Sequence, residues 1–569
     1  MTGVPNPQAA TSTWRGTDST RRQNLKNFLV CFSIGNMCFI RRWYDLENLQ
    51  AHSVDYYRTA PVNPTLLSAT VVAGLLLSVA LWLAWRWLER HATPARVRVA
   101  QCVFLLLLVF PLESVRRYWN LEREHPDIAS NVALLVVEAI LAIGAMMALA
   151  GKPRVAYSAR RMLVPLVFLY PALILDFVWS QVAAEPESAY QAKASLAPLP
   201  PRPGGQHRII WIVFDELDQR IAFDARPKNV DLPELDRLRG ESLVARHAIQ
   251  TAPWTVIALP SLLCGRVFSR AELIDADELR LTPENSTQSL NWSDQPNVFR
   301  RARQLGANAS MVGWHHPYCR VLGDSLVNCF ALPSGHPTAA LLRETHASEE
   351  GVWRTVAFLF RLQFENLRDL VRWNSSKRSE DLRSAYVQQR QQQQYFRIRD
   401  RVYAGALDRQ IEFLFAHFPT PHLFGIYDRA RCDFTLNAHE DYLDNLALVD
   451  RTLGELRQEL EREGLWDSTT VLLTSDHGLR PDLWKGRYGW NQQMEELTVG
   501  GRSETVPFLL KLAGQREPVE FDKPFSGVVS GDLCLAVLSG EVRTPREAAA
   551  WLDAHASHPT GILSPKSDR

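Results

Sequence analysis

Asp476-His477-Gly478 follows the apolar run Thr470-Val471-Leu472-Leu473-Thr474-Ser475. Such a run reads as a buried parallel strand, and α/β sheets place their chemistry at the carboxyl ends of such strands. A carboxylate and an imidazole at one strand end can share a divalent metal when a further acid converges on them. The run Arg208-Ile209-Ile210-Trp211-Ile212-Val213-Phe214 is also strand-like and ends in Asp215-Glu216. The expected metal ligands are therefore Asp215, Glu216, Asp476 and His477. Between the two strands lies Thr251 through Gly265, which opens a helix. Its first backbone N–H groups have no partner within the helix and suit a phosphate or sulfate. A metal beside a hydroxyl at that helix start would lower the hydroxyl's pKa and make it a nucleophile. Two distant strands ending in ligand chemistry argue for an enzyme rather than a binding module.

These residues need a scaffold. Strand-like runs at 209–214, 309–312, 422–426, 470–474 and 506–510 alternate with helical patterns at 297–305, 442–463 and 531–538. That alternation predicts a mostly parallel α/β sheet. Residues 345–415 break it with scattered arginines and the run Gln391-Gln392-Gln393-Gln394, and read as a helical insertion. A lid over the site and a solvated structural helix pair both fit, and the composition favours the pair.

The chain has 569 residues, too many for one core. Its 63 basic and 62 acidic residues leave a net charge of +1, which offers no electrostatic case for nucleic acid. The apolar residues concentrate in the first third, in segments at 27–40, 65–88, 99–115, 129–150 and 162–182. Helical passage through a bilayer takes about 20 apolar residues. Basic residues cluster at Arg21, Arg22 and Lys26, at Arg86, Arg90, Arg96 and Arg98, and at Lys152, Arg154, Arg160 and Arg161. The positive-inside rule puts those loops in the cytoplasm, so five spans would export everything after residue 184. The expected organisation is a membrane domain over 1–183, a Pro/Gly-rich linker over 184–207 and an exported domain over 208–569. Export would permit a disulfide between Cys319 and Cys329, but their spacing fits two free thiols equally well.

Taken in order, these pieces resemble the alkaline phosphatase superfamily, in its sulfatase-like branch. Trp211 to Glu216 is similar to the opening strand and first metal carboxylate. The stretch from Thr255 to Gly265 is similar to the nucleophile helix, and Asn297 to His316 to the helix and strand that deliver a substrate-side histidine. Ser475-Asp476-His477-Gly478 is the most specific match. The resemblance implies one divalent metal, for which zinc and manganese both suit and calcium is admitted. True sulfatases convert a Cys or Ser to formylglycine at the position held here by Thr255, and threonine cannot give that aldehyde. A threonine nucleophile behind five membrane helices resembles the phosphoethanolamine and phosphoglycerol transferases of bacterial envelopes.

That resemblance implies an inner-membrane enzyme that takes a head group from a phospholipid, through phosphothreonine, to a lipid or glycan acceptor. It implies a substrate-side histidine, with His315 favoured over His316 as the catalytic one, and His316 and His439 as substrate contacts. The histidine that the family often supplies between Gly478 and Val506 is missing, and Lys485, Arg487 or Arg502 would stand in for it. Two departures stand out. Asp215 occupies a position where those transferases commonly have Glu. The usual His-rich stretch after the central strand reads Tyr427-Asp428-Arg429-Ala430-Arg431, with His439 further on. A sulfatase- or phosphatase-type hydrolase and a catalytically silent membrane protein of the same fold are the alternatives.

Overall fold

The computed structural model describes residues 8–39, 43, 64–106, 128–149, 151–152, 154, 175, 179, 196–200, 207–275, 278–333, 351–372, 377–436, 440–485 and 489–556. They fall into two compact units, one within 1–51, 60–184 and 340–379, the other within 52–59, 185–339 and 380–569.

The first unit is helical. Helices span Gln8–Met37, Pro64–His91, Pro94–Leu106, Ile128–Leu149 and Val352–Arg372. Pro64–His91 has 28 residues, about 42 Å at 1.5 Å per residue. Among the described residues it is the one helix long and apolar enough to cross a membrane. Leu75, Leu76, Val79, Leu83 and Trp87 lie exposed along it. Its small residues Ala69, Ala73, Gly74 and Ser78 are buried. They let the helix Gln8–Met37 pass close by, since a Cβ on Gly35 would strike Ser78 and one on Gly74 would strike Asn36.

Of the expected five-helix membrane domain, the described residues show one candidate span. The apolar segment at 27–40 is the end of a long and largely polar helix, Gln8–Met37. The segment at 129–150 forms Ile128–Leu149. The segment at 99–115 starts in Pro94–Leu106 and continues outside the described residues, where most of 162–182 also lies.

The second unit is built on an eight-stranded sheet. Its strands in chain order are β1 (Arg208–Asp215), β2 (Leu243–Ala245), β3 (Ala309–His315), β4 (Asn328–Pro333), β5 (Phe413–Pro421), β6 (Thr469–Ser475), β7 (Phe508–Lys511) and β8 (Val519–Phe521). They lie side by side in the order β8-β2-β7-β6-β1-β5-β3-β4. The run β6-β1-β5-β3-β4 is parallel throughout, while β7 is antiparallel to both of its neighbours. The mostly parallel sheet expected from the alternating pattern is thus present.

All eight residues of β1 are buried. Ile209, Trp211 and Val213 enter the core on one face, and Ile210, Ile212 and Phe214 enter a separate core on the other. This explains the unbroken apolar run, because helices cover both faces of a central parallel strand. In-register pairing of Phe214 with Ser475 brings the ends of β1 and β6 level. Asp215 and Asp476 follow directly, so the topology itself makes the two acids neighbours.

The segment 345–415 is not one insertion. Val352–Arg372 belongs to the helical unit and buries Thr355, Val356, Leu359 and Leu362 there, with Phe360 against Phe39. The next helix, Lys377–Leu407, runs into the sheet unit and buries Tyr395, Ile398, Val402 and Ala406 in its core. Neither a lid nor a solvated pair describes it.

Cys319 and Cys329 are disulfide-bonded, with Cα atoms 5.5 Å apart, tying the short helix Tyr318–Val321 to β4. Closing so small a loop removes about 3 kcal/mol of unfolded-state entropy. Replacing both cysteines by serine is expected to lower stability by roughly that amount, as read from urea midpoints of the oxidised protein and its variant.

Candidate active site

Asp215 ends β1, and Asp476 and His477 follow β6. One ligand atom from each lies within 4.8 Å of the other two, and all three residues are buried. Backbone N–H groups of Glu216 and His477 donate to Asp476 Oδ1, at 3.3 and 2.8 Å. His477 Nδ1 donates to the Gly478 carbonyl at 2.9 Å. That contact fixes the neutral tautomer and turns the Nε2 lone pair toward the acids, 3.3 Å from Asp476 Oδ2 and 3.6 Å from Asp215 Oδ1. Gly478 must be glycine, because a Cβ there would sit 2.8 Å from the Ser503 carbonyl.

Thr255 is the first residue of helix α1 (Thr255–Cys264). Trp254 precedes it in extended conformation, and no side chain caps this N-terminus. Thr255 Oγ1 lies 3.1 Å from His477 Nε2. His316 is fully buried and donates through Nε2 to the Thr255 carbonyl at 3.1 Å. It therefore fixes the start of α1 and is not placed to meet a substrate as a contact residue.

The electrostatics describe a site short of positive charge. Burial pushes Asp215 well above the usual carboxylate range, with Asp476 adding to the effect. Burial likewise pushes Asp476 up to about 6. Burial holds His477 far below the usual imidazole range. Asp215 Oδ1 and Oδ2, Asp476 Oδ2 and His417 Nε2 are sealed from solvent without a hydrogen-bonding donor or acceptor. His417 Nδ1 donates to the Trp314 carbonyl at 2.9 Å, so its lone pair faces Asp215 Oδ2 across 3.9 Å. Burial also lowers His417 to about 3, so it is neutral there. Buried acceptors facing one another without donors are what a bound cation satisfies. Asp215, Asp476 and His477 thus fit a divalent ion, with Thr255 Oγ beside it.

Glu216 does not join them. Its φ of 66° is left-handed. Its carboxylate instead takes Arg480 Nε at 2.7 Å and Trp484 Nε1 at 3.1 Å. The expectation that Glu216 ligates metal is corrected: adjacent residues leaving a strand send their side chains to opposite sides, and Glu216 stabilises the 477–484 turn. Asp218 helps in that turn by accepting from the Leu479 N–H at 3.3 Å.

His315 ends β3 at φ 79°, a strained position for a side chain of this size. His315 and His422 each keep 8% of their surface open, whereas His316, His417 and His477 keep none. An incoming group can therefore reach only the first two of these rings. Lys485, expected at the substrate, is exposed and pairs with Glu495 at 2.8 Å. His439 lies outside the described residues.

Sequence reasoning missed His417 and His422, which stand within and just after β5. The signal was present as two histidines five residues apart around Pro421 at the end of the central strand. The turn carrying His422 is held by amides. Asn445 Nδ2 donates to the carbonyls of His422 and Phe424 at 3.0 and 2.9 Å. Gln391 Nε2 donates to the Leu423 carbonyl at 2.8 Å, and its Oε1 accepts from the Phe424 N–H at 2.9 Å. The glutamine run thus positions the turn that carries His422. Gln391→Ala should cost about 1–3 kcal/mol, because it strands buried backbone groups. Thermal unfolding would report the loss, and KM should rise more than kcat falls.

Residues 210–489 match the family model of type I phosphodiesterase / nucleotide pyrophosphatase. No curated protein matches the chain. Among solved structures, the chain is similar to Ps i-CgsB in complex with k-i-k-neocarrahexaose, at 15% identity and a TM-score of 0.39, covering 60% of this chain and 74% of that one. It is similar to the phosphonate monoester hydrolase of Agrobacterium radiobacter, at 14% identity and a TM-score of 0.34, covering 59% and 74%. It is also similar to the lipoteichoic acid synthase LtaP from Listeria monocytogenes, at 13% identity and a TM-score of 0.33, covering 62% and 74%.

Proposed function

We propose that residues 210–489, which match the type I phosphodiesterase / nucleotide pyrophosphatase model, form a sulfatase-like domain of the alkaline phosphatase superfamily, and that this enzyme transfers a phospholipid head group through phosphothreonine at Thr255. One observation carries the reading: Thr255 Oγ1 stands at the N-terminus of α1, 3.1 Å from His477 Nε2 and beside Asp215 and Asp476, whose oxygens Asp215 Oδ1, Asp215 Oδ2 and Asp476 Oδ2 are buried without a hydrogen-bond partner. A divalent ion on Asp215, Asp476 and His477 would supply Lewis-acid charge for the phosphoryl oxygens.

Thr255 Oγ attacks phosphorus, the bond to the diacylglycerol oxygen breaks, and that oxygen leaves with a proton. An acceptor hydroxyl then attacks the phosphorus and releases Thr255. His316 fixes the helix start, so the attacking oxygen pays little orientational entropy. In this reading His315 and His422, which keep 8% of their surface exposed, move the protons in the two half-reactions. The donor is phosphoethanolamine or phosphoglycerol lipid, and the acceptor is an envelope lipid or glycan. The candidate span Pro64–His91 would hold the domain at a bacterial inner membrane, and the disulfide suits an exported location.

In the hydrolase reading, water replaces the acceptor in the second half-reaction. Peptide mass spectrometry separates the two. Protein purified from cells without acceptor should carry a phosphoethanolamine or phosphoglycerol adduct on Thr255. An unmodified Thr255 under rapid acid quench, with turnover intact, would sink the covalent mechanism.

A further inference from the structure

Arg480 is 6% exposed, yet only one of its nitrogens is accounted for. Nε donates to Glu216 Oε1 at 2.7 Å. The two terminal Nη groups meet no acceptor among the described residues, and neither is sealed away from solvent. The guanidinium lies 5.0 Å over the ring of Trp254, the residue just before Thr255. Arg502 lies 5.4 Å from the same ring, and it is engaged by Asp482 at 3.1 Å through Nε. Arg480 is also close enough to Asp215 and Asp476 to interact with both.

A planar fork that is fixed by stacking on one face and by a carboxylate at its base, with its donors open, is organised to take two oxygens at once. The ring beneath that fork belongs to Trp254, the residue just before the uncapped N-terminus of α1, whose N–H groups also favour an anion. We propose that Arg480, seated on Trp254 and held by Glu216, forms an oxyanion subsite with the start of α1 and binds the non-bridging oxygens of the phosphoryl or sulfuryl group attacked by Thr255. This deepens the transfer reading and rests on it for the identity of the attacked group.

Charge makes the assignment physical. A divalent ion neutralises Asp215 and Asp476, and Glu216 neutralises Arg480. Two further charge-assisted bonds therefore reach the substrate without adding net positive charge to the empty site. Glu216 then acts as a positioning residue, through Arg480, with no contact to substrate.

Arginine cannot simply be deleted, because Glu216 would be left charged and buried. The test compares wild type, Arg480→Lys and the doubly neutral Glu216→Gln/Arg480→Gln variant. Each is full-length, in detergent and metal-loaded, and is titrated calorimetrically with inorganic phosphate and, separately, sulfate. The double variant should bind its preferred anion about 100-fold more weakly, and Arg480→Lys about 10-fold more weakly, because a lysine supplies charge without the fork. Metal stoichiometry should be unchanged in all three. Weakening for phosphate alone, for sulfate alone or for both supports the subsite and identifies the group handled. Unchanged anion affinity in the double variant, with its metal bound, would reduce Arg480 to a structural counterion and overturn the proposal. Absence of anion binding by the wild type overturns it too. A missing Thr255 adduct alongside a 100-fold loss would instead remove the transfer mechanism and leave the subsite standing.

Discussion

Thr255→Ala is expected to abolish turnover to within measurement, a loss of about 10⁴-fold or more in kcat, since a nucleophile removed from a covalent mechanism leaves only binding and electrostatics. The same variant should keep its metal. Asp215, Asp476 and His477 remain, and Thr255 contributes only an oxygen 3.1 Å from His477 Nε2. Its fold should hold as well, because His316 bonds to the Thr255 carbonyl, which alanine retains. Kinetics, metal analysis and adduct mass spectrometry on one preparation check all three statements. Residual turnover within tenfold of wild type would mean that water or another residue attacks the substrate.

Asp215→Asn is expected to act in opposite directions on the two forms of the protein. Asp215 and Asp476 are both raised by burial, and Asp476 raises Asp215 further. Removing one charge should stabilise the metal-free protein by roughly 1–3 kcal/mol. It should weaken metal binding by about 100-fold or more, since a first ligand matters at least as much as its supporting partners. The metal-induced rise in Tm should therefore vanish while the metal-free Tm goes up.

The wild-type protein carries the matching pH signature. A carboxyl raised in the folded state takes up its proton before the unfolded chain does. Asp476 titrates near 6 when folded, against 3.8 ordinarily. Metal-free stability should therefore rise as pH falls from about 6 toward about 4. Metal affinity should fall over the same window, because both acids must lose their protons to bind. Denaturant titrations at pH 4, 5, 6 and 7, with and without metal, would expose both trends.

Much of the site could be read from the chain because its parts are short and contiguous. Asp476-His477-Gly478 and Asp215 each close a buried strand, and parallel pairing makes such ends converge. Glu216 was misassigned for a local reason: composition cannot show that the backbone turns left-handed there and swings the carboxylate to Arg480. His417 was hidden by position. It sits inside an apolar strand, where a histidine reads as packing. His315 and His316 are neighbours in sequence with opposite situations, and only three-dimensional burial separates the open ring from the one bonded to Thr255. The glutamine run resembled solvated helix because its partners are backbone carbonyls of a distant turn, which side-chain patterns do not encode. Hydropathy located the apolar segments but could not tell a span from the end of a longer polar helix, as at 27–40.

The helix Val352–Arg372 leaves the middle of the sheet unit's sequence to join the helical unit, and the chain then returns at residue 380. No single cut therefore separates the two units. A soluble fragment begun near residue 196 would carry that helix without the neighbours that cover Thr355, Val356, Leu359 and Leu362, and would clump through the bare stripe. A secretable version needs two excisions: removal of the leading helices, and replacement of 340–379 by a short flexible bridge.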